Sequence, residues 1–148
     1  MTARTIAHIA RYLLGGGFVL IGLNGFLQFL PAPPPPPPPA LSFLSALLAT
    51  GYMIPLLKGI EVIAGVFLLG NRFVPLALAL LAPVLVNVVA YHAFLAPATL
   101  PIPLVLLAAE LALAWIYRDA FAPMLRSRAE PHAAPLARAG AQTASAAA

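Results

Sequence analysis

Five polar side chains, in a chain otherwise poor in them, have types and spacing that could do chemistry: Asn24, Lys58, Glu61, Asn87 and His92. Lys58 and Glu61 stand three apart, so on a helix the ammonium and the carboxylate can pair directly, and Gly65 on the same face lets a neighbouring helix approach. Such a pair either serves a polar site or only pins helix packing, and both readings stay open. Asn24 and Asn87 each bring an amide that donates and accepts, with Gln28 and Tyr91 one turn above them; interhelical glue is the simpler role for either amide. His92 is the only histidine in an apolar run and reads as a proton carrier, a quinone contact or an interfacial hydrogen-bonding group. It lies five residues beyond Asn87, about 140° round a helix, so both face one small pocket only if the helix is distorted after Pro83. Glu110 stands apart from this set, and its simplest state is the neutral acid.

Other chemistries lack their residues. With no Cys there is no thiolate metal site, redox pair or iron–sulfur cluster on the chain. His8 and His132 are too far along the chain from His92 for a bis-His haem, and no Gly-rich nucleotide motif occurs. No metal is expected, no catalytic residue is assigned, and no cofactor is held by an evident motif. Quinone remains as a ligand that needs none of these.

The elements that must position these groups are read from composition. Of 148 residues, 62% are apolar and 8% charged, and the mean hydropathy is +0.97. Soluble domains have about 25% charged residues, so a soluble enzyme, a disordered regulator and a DNA-binding domain are excluded, and the lipid bilayer is the expected surrounding. The pI of 10.1 comes from a small surplus of cations on a charge-poor chain, so no nucleic-acid partner follows.

Four apolar runs, 12–30, 53–70, 73–95 and 100–117, are near the roughly 20 residues that cross a hydrocarbon core as helix. The first run is too long for a signal peptide and no AxA site follows it, so a retained span is expected. Strands of a membrane barrel would alternate apolar and polar residues, and these runs do not. Arg4, Arg11, Arg72, Arg118, Arg126, Arg128 and Arg138 lie outside the runs or at their edges, all assigned to one side, whereas loops 31–52 and 96–99 carry no charge. Cytoplasmic loops collect Arg and Lys, so both termini are expected in the cytoplasm of a bacterial inner-membrane, multi-pass protein.

The first outer loop holds seven consecutive prolines, Pro33 to Pro39, within a Pro-rich segment 31–40 that must be a stiff polyproline II spacer. Next, Leu41, Leu44, Leu47 and Leu48 fall at helical spacing in a stretch too short to span, which predicts an interfacial or re-entrant helix ended by Gly51. The predicted fold is thus all-α integral membrane: a four-transmembrane-helix bundle over 1–118 with that short helix in the first outer loop. Residues 119–148 are expected to form a disordered cytoplasmic tail.

Counting a rise of 1.5 Å per residue from the cytoplasmic ends places Glu61 at about 15 Å, Asn24 at about 18 Å and Lys58 and Asn87 at about 20 Å, a polar layer near the midplane. His92 falls at about 27 Å, near the outer face, and Glu110 at about 10 Å.

Gly51-Tyr52, Pro55-Leu56-Leu57-Lys58, Glu61, Gly65, Asn71-Arg72-Phe73, Pro75-Leu76-Ala77, Ala82-Pro83, Asn87 and His92, read in order, resemble the DoxX-like family of small bacterial membrane proteins over about residues 8–118. The resemblance implies a four-helix inner-membrane protein and a link to quinone-dependent redox work, because the family takes its name from the membrane component of a thiosulfate:quinone oxidoreductase. It implies no substrate, and the polyproline run and tail depart from it. The leading expectation is a small subunit supporting quinone-linked or other envelope redox chemistry, with a soluble or membrane oxidoreductase partner supplying electrons. A small transporter, a proton-conducting oligomer and a non-catalytic envelope scaffold are the alternatives, and a homo-oligomer is left open.

Overall fold

The computed structural model describes residues 2–125, 127 and 128. Among these the ordered elements are all helical. Helix α1 (Ala3–Leu27) opens where the Thr2 hydroxyl accepts from the Thr5 N–H at 3.3 Å, and it closes where Gln28 turns left-handed at φ 49°. It starts earlier and stops sooner than the span expected over 12–30. Helix α4 (Val74–Leu95) carries Pro75 in its first turn and Pro83 inside, and Pro83 has no N–H to give the carbonyl of Ala79.

Arg4–Leu27 and Val74–Leu95 are each long and apolar enough to cross a membrane. Helix α3 (Met53–Leu69) has 17 residues and α5 (Pro101–Ile116) has 16. At 1.5 Å per residue each rises about 25 Å, short of a hydrocarbon core of about 30 Å. Each adjoins a further helical piece at a sharp bend: α2 (Pro38–Ala49) meets α3 at 92°, and Arg118–Leu125 leaves α5 at 76°. The candidate spans number 2, or up to 4 if each bent pair is one span.

Two local expectations are corrected. Pro38 and Pro39, expected in the polyproline rod, form the first turn of α2, where a missing N–H costs no hydrogen bond; Pro37 just before them is extended at φ −52°, ψ 151°. On α2 itself, Leu44 and Leu47 turn inward together with Phe43, whereas Leu41 and Leu48 are exposed. The tail expected to be disordered from Asp119 instead begins with helix α6 (Arg118–Phe121) and a 3₁₀ turn, Ala122–Leu125, in which the apolar Phe121 packs against the core. Residues 129–148 lie outside the described residues, so the rest of that expectation does too.

Helices α1, α3, α4 and α5 form a ring, with α1 and α4 each packed against both α3 and α5. Leu14, Leu68, Leu78, Leu81, Leu85 and Leu113 fill its centre. Glycines bring α1 and α3 together: a Cβ on Gly65 would lie 2.8 Å from the Gly15 carbonyl oxygen, and one on Gly22 would lie 3.1 Å from the Lys58 carbonyl oxygen. Position 15 thus meets 65 and position 22 meets 58, so the two helices run antiparallel with backbones in contact. Gly65 was expected to permit this approach, and it does.

The α3–α4 turn shows how sequence sets local shape. Asn71 adopts φ 52°, the Asn71 N–H donates to Leu68 O and the Arg72 N–H donates to Phe67 O at 3.0 Å, which is the hydrogen-bond pattern of a Schellman helix end with Asn in the left-handed position usually taken by Gly. Phe73 is also left-handed, at φ 54°, and its ring lies 5.2 Å from that of Phe67. The contact offsets part of the cost of that unusual backbone for an aromatic residue.

Candidate functional site

A cavity of about 810 Å³ lies between α2, α3 and α4, closed behind by Phe18 of α1 and Pro103 of α5. Its walls are mainly Leu, Ile and Phe, and its volume is within the roughly 300–1,000 Å³ of ligand clefts. Lys58, Glu61, Asn87 and His92 all line it, and Tyr91 joins them.

Lys58 and Glu61 pair as their spacing predicts. Lys58 Nζ donates to Glu61 Oε2 at 2.8 Å, with side chains 22% and 6% exposed. An ammonium has three N–H donors, so Lys58 keeps two for a ligand while its charge is already balanced. Its aliphatic stem lies over Gly25 of α1, where a Cβ would fall 2.5 Å from Lys58 Cγ. The missing side chain of Gly25 is what lets the ammonium lie along the helix and reach Glu61.

His92 is half-buried in the cavity wall, and its Nδ1 lies 2.7 Å from the carbonyl oxygen of Val88 one turn earlier. A carbonyl only accepts, so Nδ1 bears the hydrogen, and in the neutral ring Nε2 is the free acceptor. Tyr91 stacks edge-on against His92 with ring centres 5.0 Å apart, and Phe43 of α2 meets Tyr91 at 5.8 Å. Helix α2, folded sharply back on α3, thereby roofs the polar groups with an aromatic ring.

Asn87 and His92 share this cavity although they are five residues apart. The space is wide enough to be reached from both sides of the α4 face, and Pro83, which lines it one turn before Asn87, adds a position where the helix loses a rung.

Asn24 goes elsewhere. Its Oδ1 accepts from the Leu30 N–H at 2.7 Å and its own carbonyl accepts from the Gln28 N–H at 2.9 Å, so both polar groups serve the end of α1. The residue does not line the cavity. The expected convergence of Asn24 with Glu61 and Asn87 at one site is not seen: the Asn24 amide oxygen holds the Leu30 backbone N–H just after α1 instead.

Arg11 and Asn71, which flank the apolar runs, form a polar cluster at the far end of the ring in which Arg11 is buried and Asn71 exposed. Arg11 is 5% exposed and Arg11 Nη1 donates to Asn71 Oδ1 at 2.6 Å, while the Tyr117 hydroxyl donates to the same oxygen at 3.4 Å. The signal was present: Ala7, Leu14 and Phe18 are buried at helical spacing, which puts Arg11 on the same inward face. This cluster ties the first helix, the α3–α4 turn and the end of α5 together, away from the uncharged loops.

Glu110 lines a separate, smaller cavity. Among the described residues no group of three or more His, Asp or Glu could hold a metal ion. Compared with family models, with curated proteins and with solved structures, the chain finds no match.

Proposed function

We propose that the chain is a four-span integral protein of the bacterial inner membrane whose large cavity takes a quinone-like ligand, an apolar body with two opposed polar oxygens, in support of envelope redox chemistry. The observation that carries this reading is the joint presence of Lys58, Glu61, Asn87, Tyr91 and His92 in one apolar-walled cavity of about 810 Å³. The spare N–H groups of Lys58 and the amide of Asn87 offer donors to carbonyl oxygens. Glu61 and His92 Nε2 offer acceptors to the hydroxyls of the reduced form, so the wall suits both states of such a ligand. Reduction takes two electrons, from a partner oxidoreductase, and two protons, from water; His92 Nε2, the free acceptor, can take up one proton and pass it on.

In this reading α3 completes its crossing with α2 and α5 with the helical stretch after it, or the bilayer thins around them. Both termini lie in the cytoplasm, which agrees with Arg11, Arg72 and Arg118 gathering at the ring end opposite α2 and the cavity mouth. The resemblance of residues 8–118 to the DoxX-like family supports the same assignment. Decylubiquinone titrated into the purified protein in detergent should raise the melting temperature, since a ligand at about 100 times its dissociation constant adds roughly 2.7 kcal/mol. A matched alkane lacking the ring should give no shift; equal shifts from both would reject a polar-headed site.

A further inference from the structure

Glu110 lies on α5, facing α4, and is 4% exposed, with neither carboxyl oxygen hydrogen-bonded to any described residue. It lines a cavity of about 250 Å³ whose other walls are apolar: Leu78, Ala82 and Val86 from α4, Leu107, Leu111 and Ala114 from α5. Val86 and Leu111 are more than half exposed, so the cavity opens on the outer surface of the α4–α5 pair, the surface that faces lipid if these helices cross a membrane.

A buried carboxylate without a donor or counter-ion is too costly to keep charged. The walls also limit what can enter. A hard metal ion takes about six oxygen ligands, and this cavity supplies two from one side chain. A free anion finds no cation among these walls and at most the one O–H donor of the neutral acid. The space is below the roughly 300–1,000 Å³ of drug-sized clefts, so the occupant is small, and it is mainly hydrocarbon.

We propose that this cavity is a second ligand site, which takes a small lipophilic amine and holds its nitrogen on Glu110. On entry the proton of the Glu110 carboxyl moves to the nitrogen lone pair. The O–H bond breaks, an N–H bond forms, and an ammonium–carboxylate pair remains with no other reactant consumed. Desolvation penalises each charge alone, so the two persist only in direct contact, each satisfying the other where water does not reach. The hydrocarbon part of the amine fills the space between α4 and α5 and approaches through the lipid.

The test uses the full chain in phosphatidylcholine vesicles. Dicyclohexylcarbodiimide, which is hydrophobic, adds to a carboxylic acid to give a stable N-acylurea containing every atom of both reactants, and mass spectrometry locates it. Labelling at Glu110 is expected, and amantadine should slow it at least about tenfold, a difference near 1.4 kcal/mol. Adamantanol, of the same bulk but without a basic nitrogen, should not slow it. No label at Glu110, unchanged labelling with amantadine, or equal protection by adamantanol overturns the proposal. The wild-type protein alone decides these outcomes, and Glu110→Gln, where it folds, should lose both the label and the amine-dependent rise in melting temperature.

Discussion

Gly25 and Lys58 fit as a socket and a rod: the lysine stem crosses the place where a Gly25 side chain would stand, with Cδ 2.6 Å from a Cβ built there. Helix α1 therefore sets the direction of the Lys58 ammonium without touching it. Gly25→Ala must push back the Cγ and Cδ atoms, which are the inner part of the side chain and cannot swing away freely. The expected result is a loss of about 1–3 kcal/mol in stability, together with a weaker decylubiquinone response. Thermal melts in detergent with and without the quinone measure both.

Close backbone contact between α1 and α3 separates glycines that matter from those that do not. Gly65→Ala places a methyl 2.8 Å from the Gly15 carbonyl oxygen and 3.0 Å from the Val19 nitrogen, both backbone atoms, so the helices must part. Gly59 has nothing within 4 Å of an added Cβ. Gly59→Ala should leave the melting temperature unchanged or raise it, because Ala favours helix over Gly by up to about 1 kcal/mol. Gly65→Ala should lower it clearly. Comparable melts for the two variants would contradict the packing described.

The Lys58–Glu61 pair should behave as a unit. Glu61→Gln leaves an ammonium without its partner in an apolar wall, so it should cost more stability than the combined Lys58→Met, Glu61→Gln change. A double change equal to the sum of the two single losses would mean that the ions do not interact.

Asn71 supplies a left-handed backbone position and the acceptor for buried Arg11. Asn71→Gly keeps the first and loses the second, whereas Asn71→Ala loses both. Melting temperatures should therefore fall in the order wild type, Gly, Ala, with the unsatisfied guanidinium alone worth about 1–3 kcal/mol. An Ala variant as stable as wild type would show that neither contribution matters.

Much of the fold was legible because apolar runs and breakers act locally. The apolar runs 53–70, 73–95 and 100–117 meet helices Met53–Leu69, Val74–Leu95 and Pro101–Ile116 to within a residue or two, and the three-residue spacing of Lys58 and Glu61 predicted their contact. Asn24 and Asn87 show the boundary of that legibility. Both were placed at one depth by counting, but only rotation about each helix decides which amide enters the cavity, and rotation depends on long-range packing such as Gly22 against Lys58. The role of α2 was hidden for the same reason. Its leucines marked a helix, but the 92° fold that brings Phe43 over Tyr91 depends on the chain beyond it.

Sidedness is open to direct measurement. A phosphatase fused near Ala40 should be active outside the cytoplasm and one fused after Leu125 inactive, given that Arg11, Arg72 and Arg118 lie at one end of the ring.

Asn87 offers the most direct test of the cavity as a ligand site. Its amide is exposed on the cavity side and no hydrogen bond from it to a described residue holds the fold. The measurement is the rise in melting temperature on adding decylubiquinone, made side by side on wild type and Asn87→Leu. The expected outcome is the same melting temperature without quinone for both proteins and a much smaller rise for the variant. An undiminished rise in Asn87→Leu, or a ligand-free melting temperature that falls in step with the lost response, would contradict the site and leave Asn87 as a packing residue.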